Sequence, residues 1–229
     1  MRNGGLDMNK WSYWIKLGFR YSLIIIMASI IYGSFMNIMT GTFTLSVTLS
    51  TTLGYGTAMS SILLLILNMS NNIFLAKLAI SMGETRKNCH TGMNVMNITF
   101  ILINIIAITM LSIFTGNLSL DFCTQLFMIA CVYLLAIGCG MCTGCANKTL
   151  SINFTAIQVA LMIVSIIVVL CVSIYAATLL NGNLYLEDRI APISFILIMN
   201  ILILVLGVAL YVTGNCLMRK RIMTLEVQF

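Results

Sequence analysis

The feature that most constrains this chain is the length of its charge-free runs. From Tyr21 to Ala76 there is no Lys, Arg, Asp or Glu over 56 residues. Asn88–Asn147 holds a single acid, Asp121, and neither Thr149–Leu186 nor Ile190–Met218 holds any charge. Only 8% of the 229 residues are charged and 60% are hydrophobic, against about 25% charged in a soluble domain. With a mean hydropathy of +1.06, one core cannot hide so much apolar surface from water, and a disordered chain is equally excluded. The apolar runs are continuous rather than alternating at every second residue, which argues against a β-barrel. The expected class is an all-α integral membrane protein. The only Pro, Pro192, leaves the other spans uninterrupted.

A helical span takes about 20 mostly apolar residues. The runs divide into six such spans, at about 21–39, 52–75, 93–114, 122–145, 154–180 and 192–217, within a single transmembrane domain, 1–229. The loop between the first two is expected in the Thr- and Gly-rich stretch Thr40–Gly56. Pro192 falls near the start of the sixth, where it costs least. Six spans place 11 of the 12 basic residues on one side; Arg189 is the exception, beside Glu187 and Asp188. By the positive-inside rule that side is cytoplasmic and carries both termini. Met1–Asp7 reads as a loose leader, and no cleavable signal peptide is expected. No G-x-x-x-x-G-K-[ST] loop is present to bind a nucleotide, so energy for any driven process has to come from another chain.

Ahead of the first span, Lys10–Arg20 puts Trp11, Trp14, Ile15 and Gly18 on one helical side and Ser12, Lys16 and Arg20 on the other. Two readings are open: an amphipathic helix over about 8–20 lying in the headgroup layer, or the aromatic and basic flank of an ordinary span. Between the second and third spans, Leu75, Leu78, Ala79 and Met82 recur at helical spacing. Gly83 then breaks the helix before Glu84, Thr85, Arg86 and Lys87. This segment, from Lys77 on, is either a docking surface for a soluble partner or a solvated hairpin that obeys the inside rule.

Ser81-Met82-Gly83-Glu84-Thr85-Arg86-Lys87 resembles the S-[FM]-G-x-[ST]-R-K element of permease subunits of bacterial type-2 ATP-binding-cassette (ABC) exporters. The ending is similar too: a last span, the cluster Leu217-Met218-Arg219-Lys220-Arg221-Ile222, then Glu226-Val227. The resemblance implies six spans with both termini inside and an elbow helix over Trp11, Trp14, Lys16 and Arg20. It implies a coupling loop over Lys77, Met82, Gly83, Glu84, Thr85, Arg86 and Lys87, docked on a separate ATPase subunit. Segment 181–195 would dip back into the membrane before the last span. The partners it implies are that ATPase, which holds ATP and Mg, and a second permease chain, in a homo- or heterodimer.

Cys139, Cys142 and Cys145 are spaced C-x-x-C-x-x-C, which invites a metal or iron–sulfur reading, but the obvious fourth ligand with its following Pro is missing. Gly140 and Gly144 form a G-x-x-x-G pair in the same stretch, and close helix packing explains it more simply. The eight Cys are mostly within spans, so a disulfide framework is not indicated. His90, beside Cys89, reads as a surface group. No span interior holds an ionisable Lys, Arg, Asp or Glu, unlike proton- or sodium-coupled carriers. The spans do hold uncharged polar residues, Asn68, Asn71, Asn72, Asn97, Asn104, Gln158 and Asn200. Of these, Asn68, Asn71 and Asn72 share one side of the end of the second span and either line a pathway or satisfy one another between helices.

An apolar interior suits a hydrophobic or amphipathic cargo: a peptide, a drug or a lipid-like molecule. The expected function is that of an exporter's transmembrane subunit in the cytoplasmic membrane of a bacterium. It would be in contact with membrane lipid, with no nucleic-acid partner, no cofactor or metal of its own and no catalytic residue, since no acid–base or nucleophile set is present. The alternative is a membrane immunity or sensor protein that binds a peptide or partner without moving it.

Overall fold

The computed structural model describes residues 7–41, 45–114, 120–145, 163–174 and 193–224. These residues are helical apart from short turns. The helices are α1 (Asp7–Met39), α2 (Leu45–Ser81), α3 (Arg86–Phe114), α4 (Leu120–Cys145), α5 (Ile163–Ile174) and α6 (Ile193–Met223). Five contain stretches long and apolar enough to cross a membrane: Trp11–Met39, Thr52–Ser70, Arg86–Phe114, Leu126–Cys145 and Ile198–Met223. The protein is accordingly a helical, multi-pass membrane protein. Helices suit such a chain because they satisfy their backbone groups internally where water cannot. Of the expected fifth span, 154–180, the part described is α5; the 181–192 part of the loop before the sixth lies outside the described residues.

Two expected boundaries are corrected. The elbow at 8–20 and the span at 21–39 are one unbroken helix, α1. The loop placed in Thr40–Gly56 is much shorter, since α2 starts at Leu45. Its Thr and Ser hydroxyls turn back on the helix itself: Thr52 Oγ1 donates to Thr48 O at 2.7 Å, Thr57 Oγ1 to Gly54 O at 2.8 Å and Ser60 Oγ to Gly56 O at 2.6 Å. In water these side chains compete with the helix; in an apolar medium the nearest carbonyl is their best partner.

Contacts between the helices give their directions. On α1 and α3 they advance together: Trp14 lies on Gly92, Gly18 on Met96, and Ser22 Oγ reaches Phe100 O at 3.4 Å. On α4 and α2 they also advance together, Gly140 lying on Leu65 and Gly144 on Met69. The same holds for α4 and α6, where Gly207 lies on Leu135, Gly138 on Leu210 and Gly214 on Met141. The α1–α2 pair runs antiparallel, with Gly33 on Thr52 and Gly56 on Ser29. So do α2 and α3, joined through Ser60–Asn104 and Asn68–Asn97. Thus α1 and α3 run one way, and α2, α4 and α6 the other. α4 is the central helix, buried at most positions from Met128 to Cys145, with Tyr133, Leu135, Ala136 and Met141 fully enclosed.

This arrangement gathers the start of α1, the α2–α3 junction and the ends of α4 and α6 at one end of the bundle. Lys16, Arg20, Lys77, Arg86, Lys87, Arg219, Lys220 and Arg221 all belong to those segments. We call it the basic end.

Candidate functional site

The α2–α3 junction is built from helix-end chemistry. Glu84 N donates to Ala79 O and Gly83 N to Ile80 O, both at 3.0 Å. That pair of bonds is a Schellman cap with Gly83 at its left-handed position, φ +89°. Two residues on, Thr85 caps α3, its Oγ1 accepting from Asn88 N at 3.2 Å. Stop and start signals lie back to back, so the turn is short. Gly83 and Thr85 therefore have structural work in this turn. Arg86 has too: its guanidinium donates to Met223 O at 2.5 Å, at the end of α6. Arg221 does the same for α4, donating to Gly144 O. Two cations thus sit on the carbonyl ends of two helices, where the helix dipole favours them.

Of the other residues of the expected coupling segment, Lys77, Met82 and Lys87 face outward and Glu84 is half-buried. Lys77, Lys87 and Thr85 are exposed, and Met82 is 61% exposed. The apolar stripe read as Leu75, Leu78, Ala79 and Met82 splits in two. Leu75, Ala76 and Ala79 are buried, while Leu78 and Met82 are exposed and join Phe74, which is 68% exposed. Phe74, Leu78 and Met82 follow at i, i+4 and i+8, an outward apolar line ending at the turn. One carboxylate oxygen of Glu84 is enclosed there without a hydrogen-bond partner.

At the start of α1, Trp14 is not on an outer face. It is 2% exposed and its indole sits over Gly92 of α3, where a Cβ would collide with the ring. Trp11 is half-buried, and Lys16 and Arg20 are exposed.

The uncharged polar residues of the spans mostly pair between helices. Asn68 and Asn97 exchange amide hydrogen bonds of 3.1 and 2.8 Å. Asn104 Nδ2 donates to Ser22 Oγ at 3.3 Å, and its Oδ1 accepts from Ser60 Oγ at 3.1 Å. A small cavity of about 20 Å³, room for one water molecule, adjoins Ser29, Thr52, Ser60 and Asn104. Toward the basic end Asn215 Oδ1 meets His90 Nε2 at 2.8 Å and Asn94 Nδ2 at 3.1 Å, and Tyr211 Oη donates to Asn94 Oδ1 at 3.3 Å. His90, read as a surface group, is half-buried in this α3–α6 cluster. Its signal was the spacing of His90 and Asn94, one turn apart on one face. Asn200 keeps an enclosed, unpartnered amide oxygen. The side chains of Asn71 and Asn72, and Gln158 as a whole, lie outside the described residues.

Among the Cys triplet, Cys142 Sγ lies 3.5 Å from Leu210 O, and Cys139 and Cys145 are buried. Among the described residues no group of three or more His, Cys, Asp or Glu gathers to hold a metal. Gly140 and Gly144 lie where a Cβ would come within 2.6 Å of Leu65 O and 2.7 Å of Met69 O, so α4 and α2 are in near backbone contact there. No protein-family model, no curated protein and no solved structure matches this chain.

Proposed function

We propose that this chain is the transmembrane subunit of a type-2 ABC exporter in the cytoplasmic membrane of a bacterium. It works with a second permease chain, moves a hydrophobic or amphipathic cargo, and leaves ATP and Mg to a separate ATPase. The observation that carries the reading is the α2–α3 turn. It is capped at both sides, rigid, and lined by the outward Phe74, Leu78 and Met82 together with Lys77 and Lys87. A short stiff turn between two long helices transmits a push from a soluble partner into the bundle, which a loose loop would absorb. The six crossings of this reading are supported by the parallel directions of α4 and α6, with α5 between them in the chain and beside α2, its Ser173 hydroxyl 2.5 Å from that of Ser61. The basic end is then cytoplasmic. The charge-free interior fits a machine powered from outside the bilayer.

In this reading Met82, Lys77 and Lys87 contact the ATPase directly, and the unpartnered oxygen of Glu84 receives a base from it. Gly83, Thr85 and Arg86 shape the turn that presents them. The second reading, a membrane immunity or sensor protein, is favoured by that same division: three residues of the motif are accounted for by folding alone.

Purification of the tagged chain from its native membrane in mild detergent tests the choice. The expected result is a co-purifying subunit with a phosphate-binding glycine loop, lost in Met82→Asp/Lys87→Glu and retained in wild type. Isolation of the chain with no ATPase would remove the transport reading and leave the binding one.

A further inference from the structure

The outward face of α1 has the shape of a phospholipid. Residues Lys16, Arg20, Leu23, Met27 and Ile31 fall on one side of the helix, at steps of three or four, and all are exposed. The opposite side, Gly18, Ser22, Ile25, Ser29 and Gly33, is buried in the bundle. The outer line thus reads as two cations one turn apart followed by apolar side chains to the far end of the helix. Depth agrees: Arg20 lies 19 residues from Met39, about 28 Å at 1.5 Å per residue, against about 30 Å for a bilayer's hydrocarbon core. Arg20 therefore sits at the hydrocarbon edge and Lys16 one turn further out, among the headgroups. Exposed Tyr13 continues the same line at the level that suits a phenol.

Lys16 and Arg20 have no hydrogen bond or ion pair with the described protein, unlike Arg86 and Arg221, whose guanidinium groups cap helix ends. The one acid on α1, Asp7, is nine residues, more than two turns, from Lys16. On α6 Arg219 and Lys220 are both exposed, but as adjacent residues they lie about 100° apart around the helix rather than one turn apart on one line.

We propose that this face of α1 binds an anionic phospholipid of the leaflet at the basic end, with Lys16 and Arg20 holding its phosphate and Leu23, Met27 and Ile31 its acyl chains. The inference rests on α1 alone and is independent of the transport reading. Two cations at one phosphate distinguish a seated lipid from the diffuse attraction that any basic membrane surface exerts.

Native mass spectrometry of the delipidated full-length chain, titrated with palmitoyl-oleoyl phosphatidylglycerol or with the phosphatidylcholine of the same chains, tests it. The first lipid is expected to bind more tightly. Lys16→Gln and Arg20→Gln are each expected to weaken it about fivefold and the pair about thirtyfold at low salt, while Arg219→Gln/Lys220→Gln leaves it unchanged. Equal binding of the two lipids, or equal loss in both double variants, would overturn the proposal. If the Lys16→Gln/Arg20→Gln pair does not fold, the two single variants decide it by the same comparison.

Discussion

Asn68 on α2 and Asn97 on α3 exchange both of their amide hydrogen bonds inside the bundle, each nearly excluded from solvent. The pair locks the register of two antiparallel helices. Replacing one partner strands the other, so Asn97→Leu is expected to destabilise the protein by about 1–2 kcal/mol. The double change Asn68→Leu/Asn97→Leu is expected to cost less than the sum of the two singles. Equilibrium unfolding in mixed micelles measures both, and additive costs would mean that the pair acts as two independent side chains.

Trp14 and Gly92 make the second register point, between α1 and α3. Gly92→Val is expected to cost about 1–3 kcal/mol through overpacking. In Trp11→Phe, which leaves Trp14 as the only tryptophan, the emission is expected to be blue-shifted and poorly quenched by acrylamide. A red, freely quenched Trp14 would restore the flat elbow of the sequence reading.

Gly83 holds a backbone conformation that a Cβ disfavours. Nothing crowds its open side, so the strain stands alone: Gly83→Ala is expected to cost about 1 kcal/mol, and Thr85→Ala about the same through loss of the cap. If both variants unfolded like wild type, the turn would not be the stiff element described above.

Arg86 and Lys87 are neighbours with different work. Arg86→Gln is expected to raise hydrogen exchange in 220–224, where it releases the end of α6. Lys87→Gln is expected to leave exchange and stability unchanged and, on the transport reading proposed above, to weaken association with the ATPase alone. Matching exchange in the two variants would show that the Arg86–Met223 contact holds nothing in place.

Gly140→Leu is expected to separate α4 from α2, since its Cβ meets backbone rather than a movable side chain. The loss should exceed that of Gly144→Ala, and should appear as a lower unfolding midpoint in the same assay.

The sequence by itself determined the class, a helical multi-pass membrane protein. Long charge-free runs leave helices in a bilayer as the only economical structure. It also determined the turn: Gly83 and Thr85 are stop and start signals whose meaning is local. What it left open was which side of each helix is inside. A soluble helix announces its buried side by polarity, but these helices are apolar nearly all round, so Leu78 and Met82 outside look like Leu75 and Ala79 inside. Only the tertiary structure decided that Gly92 receives Trp14, that Asn68 meets Asn97 and that His90 meets Asn215. The physical reason is that lipid rewards neither side of an apolar helix over the other. Packing is then chosen by close backbone approach and by polar groups finding partners, and both depend on residues far apart in the chain.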